Sequence, residues 1–157
     1  MNTFRLSITT RTLALLLISV VEAMPAQSAW GQAMVTGSAI EPRLENTYWK
    51  LTQLGNEPVI VGERQREPHL ILQPEGNRVA GSGGCNRLMG GYQLAGERIS
   101  FSRMAMTRMA CPDGMETERD FVAALEQVKT WKISGQHLEL FNESGKLLAR
   151  FESRELR

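Results

Sequence analysis

The residues of this 157-residue chain best suited to covalent chemistry are its two cysteines, Cys85 and Cys111. A thiolate attacks electrophiles, but it needs a nearby base or cation to form. The two histidines, His69 and His137, lie far from both cysteines in sequence. An even cysteine count in an exported chain favours a disulfide; two separate structural thiols and one functional thiol are the alternatives. On the chain-entropy model, a bridge closing a loop of about 25 residues is worth roughly 3–4 kcal/mol. The run Gly81-Ser82-Gly83-Gly84 lacks the Gly-Lys-Ser/Thr ending that gives a phosphate loop its charge and its metal ligand. It reads as a bend or bulge where the backbone closely approaches another strand. Asn86 then bonds a local backbone group in the turn.

Metal chemistry has little to build on. There is no Cys-x-x-Cys or His-x-x-x-His spacing, so no metal and no cofactor are expected. Met104, Met106, Met109 and Met115 offer soft thioethers for copper, yet methionine is more commonly a core filler. Asp113, Glu116, Glu118 and Asp120 read as complements to a helix dipole. A hydrolytic carboxylate pair among them would need a cleft.

The elements that position these residues are mostly strands. Thr47–Leu54 is aromatic and β-branched and is followed by Gly55-Asn56. His69–Leu72 and Arg78–Gly81 flank Pro74-Glu75-Gly76-Asn77, a hairpin signal. Gly91–Leu94 and Arg98–Phe101 flank Ala95-Gly96-Glu97, and His137–Phe141 and Lys146–Phe151 flank Glu143-Ser144-Gly145. In the last strand Leu147, Ala149 and Phe151 share one face by the period of two. One segment is helical, with Asp113 as the expected cap and Glu116 completing a capping box. Phe121, Val122, Leu125 and Val128 form its apolar stripe, with Glu118, Arg119, Glu126 and Lys129 largely off it. The stripe must bury against the sheet.

The first thirty residues differ in kind. Arg5 and Arg11 precede the apolar run Leu13–Val21, and small residues follow at Ala26-Gln27-Ser28. This is the order of a secretory signal peptide, expected over 1–28. The run falls short of the roughly 20 apolar residues that span a bilayer. Residues 29–43 read as a flexible leader and 44–157 as the domain. Removing the signal takes away Arg5, Arg11 and Glu22 and brings the formal charge of +1 to zero. A neutral chain with scattered arginines makes no electrostatic case for nucleic acid or an anionic membrane.

Gly84-Cys85-Asn86, Gly91-Tyr92 and Thr107-Arg108-Met109-Ala110-Cys111 together resemble the signature of the META/HslJ domain family. Trp49, Glu118 with Phe121, and Leu138-Glu139-Leu140 extend the resemblance over roughly residues 44–151. The resemblance implies a compact α+β fold, mostly antiparallel β: a curved sheet or partly open barrel with one packed helix. It implies a bacterial envelope protein similar to heat-shock protein HslJ, of a family linked to stress and to novobiocin resistance. It carries over no catalytic residues. The two cysteine positions recur in the family, which fits a paired structural role. A matching acidic position implies that Glu118 contacts the Thr107–Cys111 segment. Many secreted members are lipoproteins; this chain has no cysteine near the cleavage region, so a periplasmic or secreted protein without a membrane anchor is expected.

The reading that follows is a non-enzymatic, monomeric, exported domain. It supports envelope stress tolerance by binding an unknown protein or small molecule. Its candidate binding loop is Gly83, Gly84, Asn86, Arg103, Thr107 and Arg108. The alternative is an enzyme with a thiol or carboxylate site near Cys85, Asn86 and Glu118.

Overall fold

The structure, a computed structural model, describes residues 41–154. The expected signal, most of the expected leader and the last three residues lie outside the described residues. In chain order the elements are β1 (Tyr48–Leu54), β2 (Glu57–Pro58), β3 (His69–Gln73), β4 (Arg78–Ser82), β5 (Arg87–Ala95) and β6 (Arg98–Met106). The helix α1 (Met115–Gln127) follows, then β7 (Thr130–Ser134), β8 (His137–Phe141) and β9 (Leu147–Arg154).

Local turn chemistry makes the hairpins. Between β3 and β4, Pro74 presets one φ, while Gly76 and Asn77 take left-handed φ of 77° and 50°. Between β8 and β9, the Asn142 side-chain oxygen accepts from the backbone N–H of Ser144 at 3.1 Å and of Lys146 at 2.9 Å. The strands form one antiparallel sheet in which β3 to β9 follow in sequence order. β1 pairs with β3 on one side and with β9 on the other, so the sheet curves into a ring, and β2 hangs from the end of β1. The ring is thinnest at β6–β7, joined only at Arg98 and Thr130.

Alternation along the strands sends Trp49, Leu51, Leu70, Leu72, Leu88, Ile99, Leu138, Leu140 and Phe151 into one core. The helix adds Phe121 and Leu125 and its C-cap adds Val128, all buried, and the Phe121 and Phe151 rings sit 5.9 Å apart. Burying each such side chain is worth about 1.5–3 kcal/mol. Trp49 also donates from Nε1 to the Leu44 carbonyl at 2.9 Å, which ties the chain leading into β1 to the core.

The structure corrects the sequence reading at several places. Asp113 does not cap the helix: Gly114 does, at φ 87° and without a side-chain bond. The chain enters the helix through a tight left-handed turn against Gln65, where a Cβ would lie 3.0 Å from the Gln65 amide nitrogen. Glu118 is buried on the stripe rather than off it. In β9 it is Leu148, not Leu147, that is buried with Ala149 and Phe151. There Phe141 pairs with Leu147 and Leu140 with Ala149, so Leu148 is the extra residue of a β-bulge that resets the alternation. β5 and β6 run well beyond the expected hairpin, and β2 and β7 are additional strands.

Candidate functional site

Asn86 is the hub that joins the Gly84-Cys85-Asn86 block to the Thr107–Cys111 block and to Glu118 on the helix. It lies just before β5 and is only 3% exposed. Its Nδ2 donates to Glu118 Oε1 at 2.8 Å and to the Met109 carbonyl at 3.2 Å. Its Oδ1 accepts from Thr107 Oγ1 at 2.9 Å and from the Met109 N–H at 2.7 Å. Its backbone N–H donates to Glu118 Oε2 at 2.5 Å. One amide thus holds the helix on one side and the 107–109 segment on the other. Glu118 reaches that segment through Asn86 rather than directly.

The glycines make room for this hub. A Cβ at Gly83 would lie 2.8 Å from Glu118 Oε2 and 3.0 Å from Glu118 Cβ. A Cβ at Gly81 would run into the His69 carbonyl and sit 3.3 Å from Leu70 Cα. Both are the close approaches expected of glycines in strands. Next to the hub, Cys85 and Cys111 lie at disulfide distance, with Cα atoms 6.0 Å apart and a sequence separation of 26. The bridge and the amide fasten the 107–111 segment at two neighbouring points.

The candidate binding loop therefore divides in two. Gly83, Gly84 and Asn86 are buried, so they are framework and offer no contact surface. Arg103, Thr107 and Arg108 are exposed. Cys85, Asn86 and Glu118, the residues of the enzyme alternative, are consumed by the bridge and by each other's hydrogen bonds. Met104 and Met106 pack against the core, while Met109 and Met115 are exposed. Among the described residues, no group of three or more His, Cys, Asp or Glu side chains is placed to hold a metal ion.

Arg103 stands out on its backbone. It sits in β6 at φ 52°, a left-handed conformation. For an L side chain this costs about 1–2 kcal/mol. The cause is a bulge: between the pairs Met89–Ala105 and Gly91–Ser102, β5 supplies Gly90 while β6 supplies both Arg103 and Met104. A Cβ at Gly90 would lie 3.1 Å from the Ser102 carbonyl oxygen, so the bulge needs glycine opposite it. Outside this bulge the outer sheet face carries a groove of about 710 Å³, lined by residues that include Arg78, Gly90, Gly91 and Arg103. Sequence reasoning missed Arg78 and Gly90. The glycine pair inside a strand was the available signal, because side-chain-free positions there mark bulges or close approach.

A further cluster of titratable groups meets on β1 and β3. Tyr48 stacks on His69 with ring centroids 4.3 Å apart, and Lys50 pairs with Glu67 at 2.6 Å. His69 Nδ1 lies 2.9 Å from the Glu67 carbonyl oxygen. A carbonyl only accepts, so Nδ1 carries the proton. Burial, helped by the Glu67 carboxylate, pushes the Tyr48 phenol up to about 12. Burial and then the hydrogen bond to Glu45 push the Tyr92 phenol still higher. These groups brace β1 and β5 against the segments beside them.

Solved structures share this architecture. An NMR structure of a protein from Burkholderia xenovorans is 26% identical, with a TM-score of 0.59 over 72% of this chain and 85% of that one. A second NMR structure is 22% identical, with a TM-score of 0.55 over 69% and 90%. A crystal structure of a DUF4847 family protein from Bacteroides vulgatus is 15% identical, with a TM-score of 0.52 over 73% and 96%, and shares the fold alone. No functionally curated protein matches the chain significantly. The META domain model matches residues 42–155, the stretch that holds the ring, the Asn86 hub and the Cys85–Cys111 pair, and the chain therefore belongs to the META domain family.

Proposed function

We propose that this is a non-enzymatic, monomeric, exported domain that supports envelope stress tolerance by binding a partner through the surface around Arg103, Thr107 and Arg108. The observation that carries the reading is the Asn86 hub. It uses up the groups that could have done chemistry, and it spends them on fixing the 107–111 segment. Loops held by a rigid scaffold are cheap to order on binding. Arg87, Arg103 and Arg108 are exposed there, and none forms an ion pair among the described residues. Export rests on the Arg5/Arg11, Leu13–Val21, Ala26–Ser28 order.

The test is complementation of a deletion strain under heat or novobiocin. Wild-type protein restores growth, and the Arg103→Gln/Arg108→Gln double variant fails to do so at unchanged melting temperature. Full rescue by the double variant would refute the surface. Mass spectrometry of the protein from its native host tests export: the first twenty-odd residues are expected to be missing, and an intact Met1 on soluble protein would refute it.

A further inference from the structure

The outer face of β4, β5 and β6 is not a flat polar surface. Register places Gln73, Arg78, Gly91 and Ser102 in one cross-strand row. Where that row should carry a fourth side chain, Gly91 carries none. Neighbouring strands lie about 4.8 Å apart, so Arg78 and Ser102 flank the gap from backbones about 10 Å apart. One residue along, Gly90 faces the bulge that re-aims Arg103. The result is the groove of about 710 Å³, within the size range of small-molecule sites.

Its lining states its chemistry. Arg78 and Arg103 both reach it, and neither makes an ion pair or a side-chain hydrogen bond among the described residues. No Asp or Glu lines it. Gln73, Asn77, Gln93 and Ser102 add neutral donors and acceptors, whereas Met89 is the one large apolar side chain exposed in it. Two free guanidinium forks call for an oxyanion, and bidentate carboxylate or phosphate recognition is what Arg does best. Amides and a hydroxyl around it call for a body rich in hydroxyls. The groove has no exposed aromatic on which a base could stack, which disfavours nucleic acid. The backbone strain at Arg103 points the same way, since strained non-glycine residues cluster at ligand clamps.

We infer that the groove over Gly90 and Gly91 binds a small polyhydroxylated anion, a sugar phosphate or sugar acid, with its oxyanion held between Arg78 and Arg103. This deepens the reading of the Arg103 surface as the binding surface and rests on it. The experiment is an NMR titration of the wild-type protein with glucose 6-phosphate, glucuronate, glucose and inorganic phosphate. At least one of the two sugar anions shifts the amide signals of Gly90, Gly91 and Arg103, and comparing them identifies the oxyanion. Glucose does not bind, and inorganic phosphate binds at least tenfold more weakly. Arg78→Gln and Arg103→Gln each weaken the sugar anion at least tenfold, while Arg119→Gln, on the helix and outside the groove, changes nothing. Absence of shifts with both sugar anions overturns the inference. So does equal binding of glucose, equal binding of inorganic phosphate, or indifference to both arginine substitutions. Sugar-anion binding by the wild type that is lost in Arg78→Gln, alongside full complementation by Arg103→Gln/Arg108→Gln, would sink the stress reading and leave this site standing. A failed titration alongside failed complementation by Arg103→Gln/Arg108→Gln would do the reverse.

Discussion

Replacing Asn86 by Asp is the sharpest probe of the hub, because it changes one group and almost no volume. In the wild type, Nδ2 donates to Glu118 Oε1 at 2.8 Å. The substitution would put an acceptor oxygen where that donor stands, against a carboxylate that is only 4% exposed. Two like charges about 4 Å apart repel by about 4 kcal/mol at an effective dielectric of 20. The pair escapes by holding one shared proton at pH 7, which costs a similar amount. Asn86→Ala creates no second charge. It strands one oxygen of buried Glu118, at about 1–3 kcal/mol for a buried group left unpaired, and frees the Met109 N–H, which water reaches more easily because Met109 is exposed, so about 2 kcal/mol in all. Asn86→Asp should therefore be worse than Asn86→Ala at pH 7. The two also differ in pH dependence. In the folded Asn86→Asp variant, the new carboxyl and that of Glu118 together retain a proton that the unfolded chain, with carboxyls titrating near 4, has released. Stability of this variant then rises as pH falls, by up to about 1.4 kcal/mol per pH unit between 7 and 5. Urea melts at pH 7 and pH 5 read this directly. If Asn86→Asp is unfolded at pH 7, its refolding at pH 5, followed by circular dichroism, serves instead. An Asn86→Asp variant as stable as Asn86→Ala at pH 7, or one without the pH slope, would mean that Glu118 does not face Asn86.

Three further outcomes are expected. Reducing the Cys85–Cys111 bridge should cost roughly 3–4 kcal/mol, and no thiol should alkylate in denaturant until a reductant is added; two thiols titrating in oxidised protein would contradict the bridge. Phe121→Ala and Leu125→Ala should each cost about 2–5 kcal/mol in denaturant melts, whereas exposed Glu126→Ala should cost almost nothing, and equal small losses at all three would mean the helix is not packed on the sheet. Tyr48 and Tyr92 are the two tyrosines of the chain, and both phenols are held above the ordinary value of 10. The native state keeps those protons after the unfolded chain releases them, so stability should be full below pH 10 and fall as pH rises toward about 12, and a phenolate absorbance step near the ordinary value of 10 in folded protein would refute their burial.

Most of the fold was legible because most of its signals are local. Pro74-Glu75-Gly76-Asn77 turns one hairpin by the φ values its own residues favour, and Ala95-Gly96-Glu97 and Glu143-Ser144-Gly145 mark two more. The spacing of Phe121, Leu125 and Val128 marks the buried helix face. The META resemblance drew the Gly-Cys-Asn and Thr-x-Met-Ala-Cys blocks together, and the structure supplies the reason: one amide side chain bonds both the helix and the second block. Glu118 was legible in spacing but not in kind. It lies one turn before Phe121 on the same stripe, yet a carboxylate there reads as lying off the stripe and complementing the helix dipole, because its partner, Asn86, is 32 residues away. β7 escaped notice because its Trp131 and Ile133 are only partly buried and it directly follows the helix.

The sequence by itself determined the strands with strong turns, the helix face, the core aromatics Trp49 and Phe151, and the family. Only the tertiary structure decided four things: closure of the ring, burial of Glu118, division of the candidate loop into buried framework and exposed arginines, and the left-handed Arg103 beside its glycine-floored groove. The first group follows from φ preferences and periodicities set within a few residues. The second depends on pairings such as Tyr48 with Arg154 and Gly91 with Ser102. There register between separate strands determines which side chain is buried, which is exposed, and where the backbone takes up strain.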